Sequence, residues 1–439
     1  MNRILENIRA LFPALSQKMN GVPLIYLDNA ATSQKPIEVL ELLRKMNGEV
    51  NANVHRAMYE LSDRSTELYE GAREKVRQFI NAPERGNVIF TSGTTASINL
   101  VASSFCRRFL KAGDAIVITA DSHHSNIVPW QLAAESIGAE IRLLPINTSK
   151  LSSCDYGAKG ANCGTSQCVN GELLIDKLEE LLSDGKVKIV AATHISNVLG
   201  LVNPVERIIK ISHAYNVPVL LDGAQGIVHE KVDVQALDCD FYAFSAHKIY
   251  GETGVGVLYG KREILEEMPP YMGGGDMVGT VTYKKTTYAE LPLKFEAGTP
   301  NFIGASSLKP ALEYAEYLRE PEVRKVLKEE ESKIKRYMFN ALACEVGDVE
   351  IYGVGDDGFE SEKKIPLFSF NVKGCNAGDI AQLLDKMGFA VRTGMMCAEP
   401  LLDSFGVNSV VRASFASYNT VEEAEKFIAA INRAKSMLL

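Results

Sequence analysis

From about residue 70 to residue 265 the chain alternates short β-rich apolar runs with stretches whose apolar residues recur at helical spacing. Strands are expected at 87–91, 115–119, 140–144, 187–193, 217–221, 241–245 and 256–259. Several are almost wholly apolar, as strands covered on both faces must be, so the pattern predicts a mainly parallel sheet sandwiched between helices. Beyond Gly298 the rhythm changes. A helix over 304–318 leads into the charge-rich 324–336, where Val326, Leu327, Ile334 and Tyr337 mark one buried face. Strand 366–372, helix 377–387, strands 389–393 and 409–415 and helix 421–437 then describe a compact α+β unit. The expected organisation is an amphipathic helix within residues 1–22 that packs on the smaller unit, a large sheet domain over 23–298, and a small domain over 299–439. Residues 147–170, rich in Ser, Gly and Cys, read as a surface loop inserted into the sheet domain.

Composition narrows the class. Of 439 residues 46% are hydrophobic and 23% charged, which is globular, and 47 basic against 55 acidic side chains leave a net charge of −8. That balance argues against nucleic acid as a partner. No apolar run approaches the length of a membrane span, and charges at Arg3, Glu6 and Arg9 make the start an amphipathic helix rather than a signal peptide. A cytoplasmic location is expected. Eight cysteines are too sparse for a disulfide scaffold and lack metal-site spacing, so no metal centre is expected.

The residues with chemical potential fall at the ends of the expected strands, where open α/β sheets place their ligands. Strand 87–91 runs into Ser92-Gly93-Thr94-Thr95 and a helix, a turn suited to phosphate, although an ordinary helix cap reads similarly. Asp222 ends one buried strand. Lys248 follows another, in Ser245-Ala-His247-Lys248. A carboxylate there is costly unless it meets a cation, and a lysine desolvated in a cleft becomes a neutral nucleophile. Alone, the first reads as a helix cap and the second as a surface charge. Together with a histidine from Asp121-Ser-His123-His124, they meet the needs of pyridoxal 5′-phosphate: an amine for its aldehyde, an acid for its ring nitrogen, a ring to stack on it and an anion cradle.

The motifs Tyr26-Leu-Asp-Asn-Ala-Ala-Thr32, Asn53-Val-His-Arg56, Phe90-Thr-Ser-Gly-Thr-Thr95, Asp222-Gly-Ala-Gln225, Ser245-Ala-His-Lys-Ile-Tyr-Gly251, Phe295-Glu-Ala-Gly-Thr-Pro-Asn301 and Arg392-Thr-Gly-Met-Met-Cys-Ala398 resemble the class V aminotransferase group of pyridoxal phosphate enzymes, and within it the SUF-type cysteine desulfurases. The resemblance runs from about Leu24 to the C-terminus. It implies the type I fold of pyridoxal-phosphate-dependent transferases, with a large sheet domain and a smaller α+β C-terminal domain. It implies that Lys248 carries the cofactor, His123 stacks on it, Asp222 pairs with the ring nitrogen and Gln225 bonds its phenolic oxygen. Thr94, Thr95, Ser245 and His247 would bind the phosphate, with Thr280 reaching across from the second subunit of a homodimer. Arg412, helped by Asn197 and accompanied by Arg392, would hold the substrate carboxylate. Cys397 would attack the sulfur of L-cysteine, leaving alanine and a persulfide bound for a SUF acceptor protein in iron–sulfur cluster assembly.

Two departures stand out. SUF-type relatives usually carry histidine before the cysteine; here Met395 and Met396 stand there, and with apolar neighbours the thiol is expected to lack an electropositive setting. Glu252 stands where proline is common, a lesser change. The 147–170 stretch adds Cys154, Cys163 and Cys168, read as part of a structural insertion in preference to a metal site or a sulfur relay. The alternatives are a selenocysteine lyase, with L-selenocysteine as substrate, or another class V β-lyase or aminotransferase that does not use Cys397. A weakly catalytic regulatory protein that binds pyridoxal phosphate is a further one.

Overall fold

The computed structural model describes residues 3–152 and 165–439. Seven strands form the main sheet in the order Val88–Thr91, Gly256–Gly260, Phe241–Ser245, Val219–Asp222, Val187–Thr193, Ala115–Thr119 and Glu140–Leu144. The last five run parallel, and only 256–260 is antiparallel to its neighbours. Val117, Val190, Leu220 and Phe241 are fully buried, because helices cover both faces. One face packs Val101, Phe105 and Trp130 from helices Thr94–Phe109 and Val128–Ile137. The other packs Tyr69 and Val76 of helix Glu60–Phe79 with Ile208 of Val205–Ala214.

A buried ion pair ties this layer to a later motif. Glu296 takes a 2.6 Å contact from Arg73 and also accepts from the Tyr69 hydroxyl and the Phe90 amide. Removing one partner would strand the other's charge, a loss of about 3–5 kcal/mol.

A six-stranded sheet, ordered Arg392–Gly394, Val410–Ser414, Leu367–Val372, Val349–Tyr352, Gln167–Val169, Lys150–Ser152, carries the second core. Phe370, Val411, Leu384, Phe427 and Met338 fill it beneath helices Pro321–Asn340, Ala377–Lys386 and Val421–Leu438. The N-terminal helix Arg3–Ala10 reaches this part of the molecule through Arg9, which donates to the Tyr418 carbonyl and pairs with Glu423.

Several expectations are corrected. The 147–170 stretch is not all loop: its described ends are strands, with Cys168 opposite Ile351 in parallel pairing, so they extend the C-terminal sheet rather than decorate the first one. Only Cys168 and Val169 signal this apolar burial within a polar run. Strand 389–393 is two strands. Phe389–Ala390 pairs with Ile25–Tyr26, whereas Arg392–Gly394 pairs with Val410–Ser414. Helix 304–318 is broken into Phe302–Ser306 and Leu308–Tyr317. In the charged helix Ile334 is buried, while Val326, Leu327 and Tyr337 are half-buried.

Candidate active site

The carboxyl ends of strands 88–91, 115–119, 219–222 and 241–245 open into one cavity of about 250 Å³. Every site residue expected from the sequence lines it except Thr280. Thr280 lies exposed on a hairpin of Val278–Val281 and Thr286–Tyr288, outside this chain's cavity wall.

Asp222 ends one strand, and Lys248 lies in the turn Ala246–Lys248 that follows its parallel neighbour Phe241–Ser245. Asp222 is buried, and one carboxylate oxygen accepts from the Ala224 amide at 3.0 Å. Burial pushes its carboxyl up while the Lys248 ammonium pulls it down. For Lys248 burial pushes the amine down and Asp222 opposes that shift. His123 accepts the Ser125 amide on Nδ1 at 3.0 Å, so the neutral ring holds its proton on Nε2. Burial, then the Lys248 charge, lowers its pKa to about 4.

Gly93, with φ +152°, leads helix 94–109 without a side-chain cap. The Ser245 hydroxyl receives the Thr94 amide at 2.8 Å and contacts the Thr94 hydroxyl, and the Thr95 hydroxyl meets that of Ser125. His247 lines the same cavity with a buried Nδ1 that has no hydrogen-bond partner among the described residues. Gln225 spends one amide hydrogen on the Ala30 carbonyl at 2.7 Å.

The thiol loop is held from three sides. Asn197 Nδ2 donates to the Met396 carbonyl at 2.9 Å, the His124 amide donates to the Cys397 carbonyl at 2.7 Å, and the Glu399 amide donates to His124 Nε2 at 3.1 Å. Met396 and Cys397 both adopt left-handed backbone, φ +54° and +53°, a conformation non-glycine residues enter only when their surroundings impose it. Cys397 is exposed to the cavity side and Met396 is buried. Lys248 and Arg392 line the same cavity as Cys397, so the basic side chains of the site face the thiol from across the cavity and not from the adjoining Met395 and Met396.

Arg412, 2% exposed, donates Nη1 to the Asn197 carbonyl at 2.9 Å and Nη2 to Asp28 at 3.0 Å; its buried Nε has no hydrogen-bond partner among the described residues. Arg392 donates to both oxygens of Asp28. The Asn197 side chain lines the cavity, where it is expected to help at the substrate, and its amide nitrogen also secures the thiol loop. Glu252 pairs with Lys35 at 3.6 Å. Cys168 sits in the C-terminal core, and Cys154 and Cys163 lie outside the described residues. Among the described residues no cluster of three or more metal-ligating side chains occurs.

Asp28 and His124 fall within the motifs, yet nothing local in the sequence gives Asp28 a role or shows that His124 anchors the thiol loop. The same holds for Asp121, whose carboxylate accepts from Asn203 at 2.7 Å and which burial pushes up to about 6.

The model of the family described as Aminotransferase class-V matches residues 25–427. The chain belongs to the class V aminotransferases. Within that family it groups with the cysteine desulfurases. It is 43% identical over 434 residues to a probable cysteine desulfurase of Vibrio cholerae, covering 99% of both chains, and 40% identical to a cysteine desulfurase of Escherichia coli O127:H6, covering 99% and 98%. A crystal structure of a cysteine desulfurase from Escherichia coli superposes with a TM-score of 0.83 at 37% identity, and an apo cysteine desulfurase from Thermococcus onnurineus with 0.85 at 33%, each covering 100% of both chains. This class V enzyme depends on pyridoxal phosphate, and its cavity fits that group. A buried acid and a desolvated amine face one space, and a helix N-terminus whose N-cap Gly93 has no side chain stands beside a buried imidazole nitrogen without a partner among the described residues. No described helix is long and apolar enough to cross a membrane.

Proposed function

We propose that this class V enzyme is a cysteine desulfurase that converts L-cysteine to L-alanine and takes the sulfur onto Cys397. The observation that carries the reading is a thiol fixed in a left-handed turn on the wall that also presents Lys248, Asp222 and Arg412. Bound pyridoxal phosphate supplies an electron sink that lets an amino acid lose its Cα proton. Lys248 would hold the cofactor's aldehyde and, its amine pushed down by burial, is placed to carry a proton. Asp222 would keep a proton on the ring nitrogen, and His123 would lie against the ring. Gln225 would donate its remaining amide hydrogen to the phenolic oxygen. Thr94, Thr95, Ser245 and His247 would hold the phosphate.

Arg412 would receive the substrate carboxylate, its guanidinium already oriented by Asn197 and Asp28. The Cys397 thiolate would then attack the substrate sulfur. The carbon–sulfur bond breaks, its electron pair is quenched at Cβ by a proton, alanine leaves and the enzyme keeps one added sulfur. An acceptor thiol or a reductant would remove it. The motif pattern favours a SUF-type acceptor protein in iron–sulfur cluster assembly, and the cytoplasm as the place.

A homodimer would bring Thr280 to the other subunit's phosphate. The exposed Val281 and Tyr283 beside it support a second copy covering this hairpin. A fully active monomer in sedimentation would contradict that reading.

The test is to incubate purified enzyme with L-cysteine and a reductant and to quantify alanine and sulfide. Equal release supports desulfuration. Sulfide release that persists in Cys397→Ala would favour a β-lyase or selenocysteine lyase, and no sulfide release would favour a binding protein.

A further inference from the structure

Arg392 and Arg412 stand directly opposite each other on antiparallel strands 392–394 and 410–414. Like charges in that position repel and destabilise the pairing. The backbone answers by threading Asp28 alongside, in an isolated bridge with Ser414. Its Oδ1 accepts from Arg412 Nη2 at 3.0 Å and Arg392 Nε at 3.1 Å, and its Oδ2 from Arg392 Nη2 at 3.0 Å. Asp28 is 16% exposed and Arg412 2%, so this contact is poorly screened. Both arginines line the cavity and Asp28 does not.

We propose that Asp28 is a positioning residue that sets the specificity of the carboxylate clamp, leaving it one surplus positive charge and so matching it to an amino acid with a single carboxylate. The inference rests on Arg412 as the receptor for the substrate carboxylate. Two guanidinium charges less one carboxylate leave +1, which one α-carboxylate neutralises. A ligand with a second acidic group would bring an anion that the clamp no longer has charge to meet, and Asp28 would repel it. Without Asp28 the surplus becomes +2, and a dicarboxylate gains.

The holoenzyme is titrated calorimetrically with L-alanine and with L-aspartate, and cysteine turnover is recorded in parallel. Asp28→Asn should shift the ratio of the two dissociation constants about ten-fold toward aspartate, and Asp28→Glu should keep the wild-type ratio. The double variant Asp28→Asn, Arg392→Gln restores a surplus of +1, removes both partners of one contact together, and should return the preference to alanine. Equal weakening of both ligands by Asp28→Asn, or a double variant that keeps the shifted ratio, overturns the inference. If Asp28→Asn fails to fold, a shifted ratio in Asp28→Glu or in the double variant does the same. Wild-type enzyme that releases no alanine from cysteine would instead overturn the desulfurase reading, whatever the titrations give.

Discussion

Asn197 joins two halves of the site: its side chain holds the Met396 carbonyl at 2.9 Å while its own carbonyl holds Arg412 at 2.9 Å. The turn that presents the thiol and the cation expected to receive the substrate are therefore referenced to one residue. Asn197→Ala should release the left-handed turn at Met396 and Cys397 while leaving the cofactor residues untouched. We expect alanine formation to fall by about ten- to a hundred-fold, in line with a misplacement of about 1 Å between reacting groups. Hydrogen exchange at 395–398 should quicken, and unchanged exchange with normal turnover would contradict this role.

Lys248→Ala should abolish turnover and covalent capture of pyridoxal phosphate. Borohydride reduction of wild-type enzyme followed by peptide mapping should label Lys248 alone. A label on another lysine would displace the assignment.

His194 gives a pH prediction. It is 5% exposed, its Nδ1 meets the Tyr242 hydroxyl at 2.9 Å, and burial lowers its pKa to about 4 from an ordinary 6.5. The unfolded chain therefore binds this proton first as pH falls. Its contribution is fully present above pH 6.5 and is lost progressively down to about pH 4, by at most about 3 kcal/mol. Denaturant titrations of wild type and His194→Asn should show a shallower loss of stability in the variant across that window. Parallel profiles would refute it.

The sheet was legible because its central strands are buried on both faces, so that 115–118, 189–192 and 241–244 stand out as uninterrupted apolar runs. The C-terminal sheet was read less fully. Strand 167–169 hides two buried residues in a polar stretch, and its pairing with 349–352 joins residues about 180 positions apart, which no local pattern records. The site was legible as a set of residue types at strand ends, since one cofactor explains the acid, the amine and the helix N-terminus together. Roles set by tertiary contact were not. Asp28 is recognisable only once Arg392 and Arg412 face each other, and His124 only once the thiol loop folds over it. Lys248 and Arg392 share the cavity with Cys397 although they are distant from it in sequence, which no inspection of its chain neighbours Met395 and Met396 reveals.

Met396 is buried and lines the cavity together with Cys397, so Met396→His would place an imidazole on the wall that carries the thiol rather than in solvent. Such a variant should react faster with an alkylating agent at Cys397 and turn over faster without a partner protein. Equal alkylation rates would show that the missing imidazole does not limit the thiol.

The claim that Cys397 receives the sulfur is tested most directly by mass spectrometry of the enzyme after brief exposure to L-cysteine without reductant. One added sulfur on the Cys397 peptide is the expected result, with Cys397→Ala still binding cofactor and cysteine yet forming almost no alanine or sulfide. Added sulfur found only on Cys154, Cys163 or Cys168, or normal turnover in Cys397→Ala, would contradict it.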